Sequence, residues 1–145
     1  MRRYGNPINT KNSYVDRPGA YGIILSNRGV LLTHQSSPCS EMQLPGGGID
    51  PGESPQQAFH REVMEETGWR VAVTRRVGVY QRYTYMTDYD LYARKVCHIY
   101  LARTGRKVAE PSEPHHTAHW VSLDQAVDCL ASEGDAAFLR MLINT

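Results

Sequence analysis

The chain has 145 residues, enough for one domain with a hydrophobic core and short for two. Hydrophobic residues make up 41% and charged residues 21%, as in soluble globular proteins, and no apolar run approaches the roughly 18 residues of a membrane span. The formal net charge of +1 argues against general electrostatic adhesion to nucleic acid or to a membrane surface, although it leaves room for a local basic pocket.

The cysteines Cys39, Cys97 and Cys129 are widely spaced, and no CxxC pair is present. Because their number is also odd, this pattern indicates free thiols in a reducing compartment. We therefore expect a cytoplasmic protein in which each cysteine is a small buried residue. The N-terminus has arginines but no apolar segment behind them, and we expect no signal peptide there.

The first part of the chain differs in composition from the rest. Residues 1–16 are polar and rich in turn formers, and they predict an extended N-terminal arm, which could cover a neighbour in a homodimer. A single domain is predicted over residues 17–145, with no internal repeat and no low-complexity tract.

The domain is predicted to begin with a β-hairpin. Residues 20–25 and 30–33 are rich in Ile, Leu and Val and predict two strands, joined by a turn at residues 26–29. Residues 36–52 are rich in glycine and proline and predict a loop.

A helix is predicted directly after this loop. Ser54 is a good N-cap, Pro55 suits the first helical position, and Gln57 stands where a capping box requires it. The helix should run to about Thr67, with Gly68 as its C-terminal glycine.

The rest of the chain predicts strands followed by helix. Runs rich in Val, Tyr and Ile indicate the strands. Ser122 is expected to cap a second helix, with Gln125 completing another capping box, and Gly134 to break it before a final helical segment. The strands are predicted at residues 70–77, 79–86, 94–103 and 119–121, a turn at residues 87–90, and the end of the last helical segment near Ile143. These elements predict an α/β or α+β sandwich.

Three carboxylates stand close together on the first helix. At about 100° per residue, Glu62, Glu65 and Glu66 fall within an arc of roughly 100°, beside an apolar stripe formed by Phe59 and Val63. Like charges at this spacing repel, and the cost increases where a packed stripe shields them from water. One interpretation is a solvated acidic face; the other is a site for a cation.

The preceding loop favours the cation. Residues 45–48 are Pro-Gly-Gly-Gly, so little side chain shields the backbone, and Glu53 stands just before the helix cap. Carboxylates and backbone carbonyls suit Mg²⁺ or Mn²⁺, which take oxygen ligands and usually bind together with substrate phosphates.

These residues resemble the Nudix hydrolase family. Gly47, five residues, Glu53, seven residues and then REVMEETGW at residues 61–69 match the Nudix box, G-x5-E-x7-R-E-U-x-E-E-x-G-U. Every fixed position agrees, and the one departure is Trp69, where a large aliphatic residue is usual. The resemblance is most specific over residues 44–69 and extends more weakly over most of residues 17–145.

The resemblance implies a Nudix-type α/β/α sandwich with a mixed sheet. It also implies Mg²⁺- or Mn²⁺-dependent hydrolysis of a nucleoside diphosphate linked to another group. By position, Glu62 and Glu66 would be the principal metal ligands and Glu65 would join or support them. The backbone carbonyl of Gly46 or Gly47 would add a further ligand.

The resemblance also assigns roles in catalysis. Arg61 would orient Glu65 or Glu53 through a salt bridge. Glu62 is our first choice for the general base, and Glu53 or an acid from a downstream loop is the alternative. Family members recruit a further acidic ligand from late in the chain. Here the candidates are Glu110 and Glu113, followed by Asp88 and Asp90.

Several side chains outside the box are expected to face the substrate. His34 follows the second strand, where relatives often place a phosphate-binding arginine, and Arg17 could supply the missing positive charge. A zinc site built from the histidines at positions 115, 116 and 119 lacks a fourth ligand and is disfavoured. Tyr80, Tyr83 and Tyr85 are predicted to share one sheet face, either core or base-stacking platform, and we favour core. The expected substrate-binding residues are Arg17, His34, Tyr85, Glu113 and His116.

The sequence restricts the substrate only to a class. We expect a small-molecule nucleotide, with a nucleoside triphosphate or a related nucleoside-diphosphate derivative preferred, and no stable nucleic-acid or membrane partner. The alternatives are a diadenosine-polyphosphate or ADP-ribose-type hydrolase, or a Nudix-fold nucleotide sensor without catalysis. Because all four box glutamates are present, an enzyme is favoured over a sensor.

Overall fold

The computed structural model describes residues 1–37 and 40–145. Within these ranges a mixed β-sheet carries helices on both faces, which confirms the predicted single-domain α/β/α sandwich. Cys39, predicted to be buried, lies outside the described residues. None of the helices in the described ranges has the length and apolarity needed to cross a membrane. The strands are β1 (Arg2–Gly5), β2 (Val15–Ser26), β3 (Gly29–Gln35), β4 (Glu41–Gln43), β5 (Gly46–Gly48), β6 (Trp69–Met86), β7 (Leu91–Lys107) and β8 (His116–Val121), and the helices are α1 (Pro55–Thr67), α2 (Leu123–Cys129) and α3 (Glu133–Ile143).

The sheet has the strand order β1-β6-β7-β2-β3-β4, with β5 paired to β2 and β8 paired to β3. The centre is parallel, because β2 lies alongside β7 from the pair Val15–Ala93 to the pair Leu25–Arg103. Strands β6 and β7 form a long antiparallel hairpin closed by the predicted turn at residues 87–90. The first predicted hairpin is also confirmed, since Ser26 pairs with Gly29 across its turn.

Each face of the sheet has its own hydrophobic core. Along β2 the side chains alternate, so that Ile24 packs on the α1 side and Ile23 packs on the α2–α3 side, both fully buried. On the α1 side, Phe59 and Val63 of the predicted apolar stripe are fully buried. The acidic positions of α1 are therefore fixed by a packed helix face.

The N-terminal arm and the long loop contain strands that the sequence did not predict. Residues 2–5 pair in parallel with residues 80–83 of β6, and β2 begins at Val15, so part of the arm extends the sheet. Within the predicted loop, β4 pairs with β3 and β5 pairs with β2. Strands β1 and β5 pair with partners far away in sequence, and β4, although close to its partner β3, has only three residues, which explains why local composition indicated loop.

Two other predicted element boundaries differ from those in the structure. The predicted strands at 70–77 and 79–86 are one strand, β6, whose register shifts relative to β7 between Val73 and Arg75 and between Arg76 and Gly78. Gly134 lies inside α3 instead of breaking it. A Cβ there would stand 2.4 Å from Tyr80 Cε2, so glycine at this position lets α3 pack closely on Tyr80. The break comes earlier, where Ser132 caps α3.

The tyrosine and cysteine predictions were partly wrong. Tyr80 is buried and points to the opposite side of β6 from Tyr83 and Tyr85, because strand neighbours alternate and these positions differ by odd numbers. Cys97 is buried as predicted, whereas Cys129 is exposed at the end of the short helix α2.

Candidate active site

Helix α1 is held at both ends by the predicted caps. Ser54 Oγ accepts a hydrogen bond from the Gln57 N–H at 3.1 Å, and Gln57 Oε1 accepts one from the Ser54 N–H at 2.9 Å. Gly68 ends the helix in the left-handed conformation with φ 74°. Since the core fixes its rotation and the caps fix its ends, its glutamates have a defined position.

Arg61 connects the glycine loop to the acidic face of α1. Its Nε and Nη2 donate to the two oxygens of Glu53 at 2.8 and 2.9 Å, and its Nη1 donates to Glu62 Oε1 at 2.9 Å. Nη2 also donates to the carbonyl of Gly48 at 2.9 Å, and Nη1 lies 3.4 Å from Glu65. The planar guanidinium therefore orients three carboxylates at once, as only arginine can.

Three carboxylates converge at one point. Among the described residues, Glu62, Glu65 and Glu113 each place a carboxylate oxygen within 4.8 Å of the others. Glu113 reaches this position because its own N–H and that of Ser112 donate to the Glu65 carbonyl at 3.0 and 2.8 Å. The Glu65 carbonyl, near the end of α1, thus holds the loop that carries Glu113.

The other late acids lie elsewhere. Glu110 is 84% exposed and pairs with Lys107 at 3.2 Å. Asp90 accepts a hydrogen bond from Tyr85 Oη at the β6–β7 turn, next to Asp88. Of the four candidates for a late ligand, the structure brings only Glu113 to the glutamates of α1.

Glu66 is the most enclosed of the box glutamates. It is only 4% exposed, it accepts a hydrogen bond from the Gly46 N–H at 2.8 Å, and its other oxygen lies 3.3 Å from His116 Nε2. Burial raises the pKa of this carboxyl well above its usual range, while the Gly46 N–H acts in the opposite direction. His116, predicted to face the substrate, is thus a direct neighbour of a proposed metal ligand.

The pKa values of two neighbouring carboxyl groups, Glu62 and Glu53, are shifted in opposite directions. Burial raises the pKa of Glu62, against the effect of its hydrogen bond with Arg61. The Arg61 hydrogen bonds lower the pKa of Glu53 to about 2. Glu53 is therefore an ionised partner of Arg61, whereas Glu62 has the more basic carboxylate.

The glycine loop lies against the acidic side chains. A Cβ on Gly47 would stand 2.5 Å from Glu62 Cδ, so only glycine leaves room for this carboxylate. Gly46 has φ 143° and directs its N–H to Glu66, while Pro18 and Gly22 of β2 bond the residues that flank β5. The bare loop therefore lies directly against Glu62 and Glu66.

A cavity of about 410 Å³ opens beside these residues. Its lining includes Glu62, Glu66, Glu113 and His116, the glycine loop, and Arg17. The guanidinium of Arg17 lies 4.5 Å from the ring centroid of Tyr89. The cavity therefore brings acidic residues and a basic residue to the same ligand-sized space.

Two predicted substrate contacts do not line this cavity. His34 forms a 2.6 Å hydrogen bond with Ser40, and its neighbour Gln35 lines the cavity instead, as strand alternation requires. Tyr85 is 42% exposed, donates to Asp90 and packs on the Tyr92 ring at 5.0 Å.

The sequence interpretation missed five charged residues of the cavity lining. They are Glu41, Asp50, Arg82, Lys95 and Asp135. Arg82 and Lys95 stand two residues from the buried Tyr80 and Cys97 on their strands, so strand alternation could have placed them on the same face. Asp135 has no comparable signal, because its burial depends on how α3 packs on the sheet.

The donor set fits a hard divalent cation. The ligand atoms are carboxylate oxygens, and the donors that Zn²⁺ prefers, Cys sulfur and clustered His nitrogen, are absent from the converging group among the described residues. Glu62 approaches Gly47 closely, and a backbone N–H fixes the orientation of Glu66. Both features match a site that must hold carboxylates close together.

Comparison with known proteins identifies relatives. A family model described as NUDIX domain matches residues 16–142. A putative 8-oxo-dGTP diphosphatase of Bacillus subtilis (strain 168) is 38% identical over 74 residues, which are 51% of this chain and 50% of the relative. A CMP-5'-(N-acetyl-N-hydroxy-3-aminopropyl)phosphonate hydrolase of Streptomyces rubellomurinus is 31% identical over 84% of this chain and 60% of the relative. The match therefore spans between half and three fifths of the length of these relatives.

Solved structures support the fold. A NUDIX hydrolase from Nitrosomonas europaea superposes with a TM-score of 0.70 at 18% identity, covering 87% of each chain. A MutT protein from Methanosarcina mazei Go1 also gives 0.70, at 22% identity, over 90% of this chain and 95% of that one. At these identities the likeness concerns the fold alone.

Proposed function

The chain belongs to the NUDIX family, and from this premise we propose that it is a divalent-metal-dependent pyrophosphohydrolase. Its substrate is a nucleoside diphosphate linked to another group, with a nucleoside triphosphate or a related nucleotide as the preferred class. The observation that carries this proposal is the convergence of Glu62, Glu65 and Glu113 beside the cavity, with Arg61 and the glycine loop holding them. The names of the relatives, which concern 8-oxo-dGTP and a CMP-linked phosphonate, support a nucleotide substrate.

We propose Glu62, Glu65, Glu66 and Glu113 as the residues that hold Mg²⁺ or Mn²⁺. When bound, such an ion supplies positive charge that neutralises phosphate oxygens and makes nearby water more acidic. A backbone carbonyl from the glycine loop would join them. Gly46 is the better candidate than Gly47, because its N–H already faces α1 and bonds Glu66.

We propose Glu62 as the general base. Its carboxylate lies at the acidic cluster, and burial raises its pKa toward the range in which a carboxylate accepts a proton effectively. Glu53 suits this role less well, because Arg61 occupies both of its oxygens and keeps it ionised with a pKa of about 2. Glu53 and Arg61 are then positioning residues for Glu62 and Glu65.

The test is a substrate panel run with Mg²⁺ and with Mn²⁺, with identification of the products. Nucleoside monophosphate plus pyrophosphate would indicate cleavage of a triphosphate, whereas AMP plus ribose phosphate would indicate an ADP-ribose-type activity. We expect chelation to abolish turnover and added Mg²⁺ or Mn²⁺ to restore it. A protein that binds nucleotides but hydrolyses no member of the panel would be a sensor, and the proposal would be rejected.

Residue roles are tested with a matched pair on one loop. Glu113→Gln removes a proposed ligand, whereas Glu110→Gln changes an exposed acid three residues away that pairs only with Lys107 among the described residues. We expect turnover to fall by orders of magnitude in Glu113→Gln and in Glu62→Gln, with Glu110→Gln unchanged. Equal activity in the Glu113 and Glu110 variants would refute the assignment of Glu113.

We also infer a reducing compartment, the cytosol. Cys97 and Cys129 carry free thiols, and cysteines of this kind persist where disulfides do not form. Alkylation of Cys129 in intact cells, before lysis, would test this inference, because an oxidised thiol would not react.

A further inference from the structure

Three cations lie side by side across the sheet. In the strand register, Arg17 of β2 pairs with Lys95 of β7, and Lys95 pairs with Arg82 of β6. Residues in register on adjacent strands share a face, and adjacent strands are about 4.8 Å apart, so this cation row spans roughly 10 Å. All three residues line the cavity that holds the acidic cluster.

Within the described ranges, the cation row forms no ion pair shorter than 4.0 Å. Among the described residues, neither Arg82 nor Lys95 has a carboxylate oxygen within 4.0 Å or a hydrogen bond. Arg17 and Lys95 instead lie over the rings of Tyr89 and Tyr21, at 4.5 and 5.8 Å from the ring centroids. By contrast Arg94, next to Lys95 on the other face of β7, bonds both Gln81 and Asp16.

The buried acid Asp135 interacts electrostatically with two members of the row, since the charges of Arg82 and Lys95 each act to lower its pKa. Asp135 accepts a hydrogen bond from Tyr80 Oη at 2.5 Å, and burial raises its pKa. Burial also lowers the pKa of Lys95, and the charge of Arg82 adds to this effect; together they outweigh the opposite effect of Asp135 and Glu41. A partly buried row of like charges destabilises the folded protein, so a structural role does not explain it.

The row begins beside the proposed metal site and leads away from it. Gly19 pairs with Gly48, and the Ile49 N–H bonds the Pro18 carbonyl, so Arg17 neighbours the end of the glycine loop. Lys95 and Arg82 then lie one and two strands farther from that loop. A ligand that contacts the acidic cluster through its diphosphate would place its far end on the cation row.

We propose that the cation row binds a phosphate-type group of the nucleotide, beyond the phosphates at the acidic cluster. The proposal rests on the proposed function and narrows it to substrates that carry additional negative charge, in preference to those linked to a neutral sugar. Guanidinium groups bind phosphate oxygens in a bidentate manner, and an ammonium group adds a point charge. An anion placed on the row would also relieve the repulsion among its members.

Binding to metal-free protein tests the row without turnover. We expect inorganic tripolyphosphate, measured by calorimetry after removal of metals on a chelating resin, to bind wild type and to bind Lys95→Met and Arg82→Met ~10- to 100-fold more weakly. Arg103→Met removes one exposed charge from the far end of the same strand and should bind as wild type does. No binding to wild type, or equal weakening in Arg103→Met, would overturn the proposal.

A melting curve shows whether each variant is still folded. Removal of a partly buried charge should leave the melting temperature of Lys95→Met equal to or above that of wild type, so weaker binding would not reflect unfolding. If one variant fails to fold, the other decides, since each removes one member of the row.

Steady-state kinetics then show which phosphate of the substrate contacts the cation row. The substrates are a nucleoside triphosphate, a nucleoside 5′-diphosphate with a 3′-phosphate, and ADP-ribose. We expect Lys95→Met to raise KM selectively for one charged substrate, which identifies where its phosphate lies, and to leave ADP-ribose unaffected. Equal effects on all three would refute the selectivity. If wild type hydrolyses none of them, the proposed function fails, while the calorimetry still decides whether the row binds phosphate.

Discussion

The contact between Gly47 and Glu62 allows a sharp test of the site. In Gly47→Ala the new Cβ would stand 2.5 Å from Glu62 Cδ and 2.6 and 2.9 Å from its two oxygens. Carbon atoms in ordinary contact are about 3.5–4.0 Å apart, so the carboxylate must move by about 1 Å. This movement would take Glu62 away from the Arg61 hydrogen bond at 2.9 Å and from the acidic cluster.

A displacement of this size should lower the activity strongly and change the stability of the fold little. A misplacement of about 1 Å in a catalytic group can cost about 100-fold in rate, and we expect kcat/KM to fall by about that factor. The obstructing atoms belong to the end of a flexible side chain, so the fold should survive with a similar melting temperature. Initial rates with Mg²⁺ and a titration with Mn²⁺ followed by electron paramagnetic resonance would measure both consequences.

The next residue supplies the control. A Cβ on Gly48 would have no atom within 4 Å outside its chain neighbours, so Gly48→Ala makes the same chemical change without the clash. We expect Gly48→Ala to keep wild-type activity and Mn²⁺ affinity. If Gly47→Ala is as active as Gly48→Ala, or if both lose activity equally, the position of Glu62 does not govern the reaction.

Three other changes have defined outcomes. Arg61→Lys cannot maintain the forked contacts to Glu53 and should raise the Mg²⁺ concentration for half-maximal rate ~10- to 100-fold, measured by titration of initial rates. Phe59→Ala empties a fully buried position and should cost about 3–5 kcal/mol in urea unfolding; a cost below 1 kcal/mol would contradict its core role. Asp135 has a raised pKa in the fold, so its stabilising contribution is full below its ordinary pKa of 3.8 and is lost as pH rises through the raised value. Asp135→Asn, which can still accept from Tyr80, should therefore gain stability relative to wild type as pH rises from 4 to 7, and a constant difference in melting temperature would refute this.

The parts of the fold predicted correctly are those with local signals. The α1 helix follows from Ser54, Gln57 and Gly68, which lie within or next to the segment that they cap. The hairpin turn at residues 26–29 is local in the same sense. The strands β1, β4 and β5 were missed because three or four residues carry too little pattern, and their backbone groups find partners up to about 80 positions away.

The candidate site likewise contains residues that local sequence signals predicted and residues that they did not. The box glutamates are close in sequence, and the period of a helix was enough to group them. Glu113 became a candidate ligand only through the family resemblance. Its position depends on backbone hydrogen bonds to the Glu65 carbonyl. Arg82 and Lys95 were missed because a row across strands depends on register, which a single sequence does not specify.

The arrangement of charge in the cavity argues for a ligand that contacts both its acidic cluster and its cation row. Glutamates and cations line the same cavity, yet among the described residues no ion pair within 4.0 Å joins Arg17, Arg82 or Lys95 to Glu62, Glu66 or Glu113. A protein that used these charges for stability would let them pair, because an unpaired buried charge is costly. Keeping them apart leaves the cations for phosphate oxygens and the carboxylates for an ion that binds the same phosphates. The free energy lost by separating the charges is then recovered when both ligands bind, so each should bind more tightly in the presence of the other.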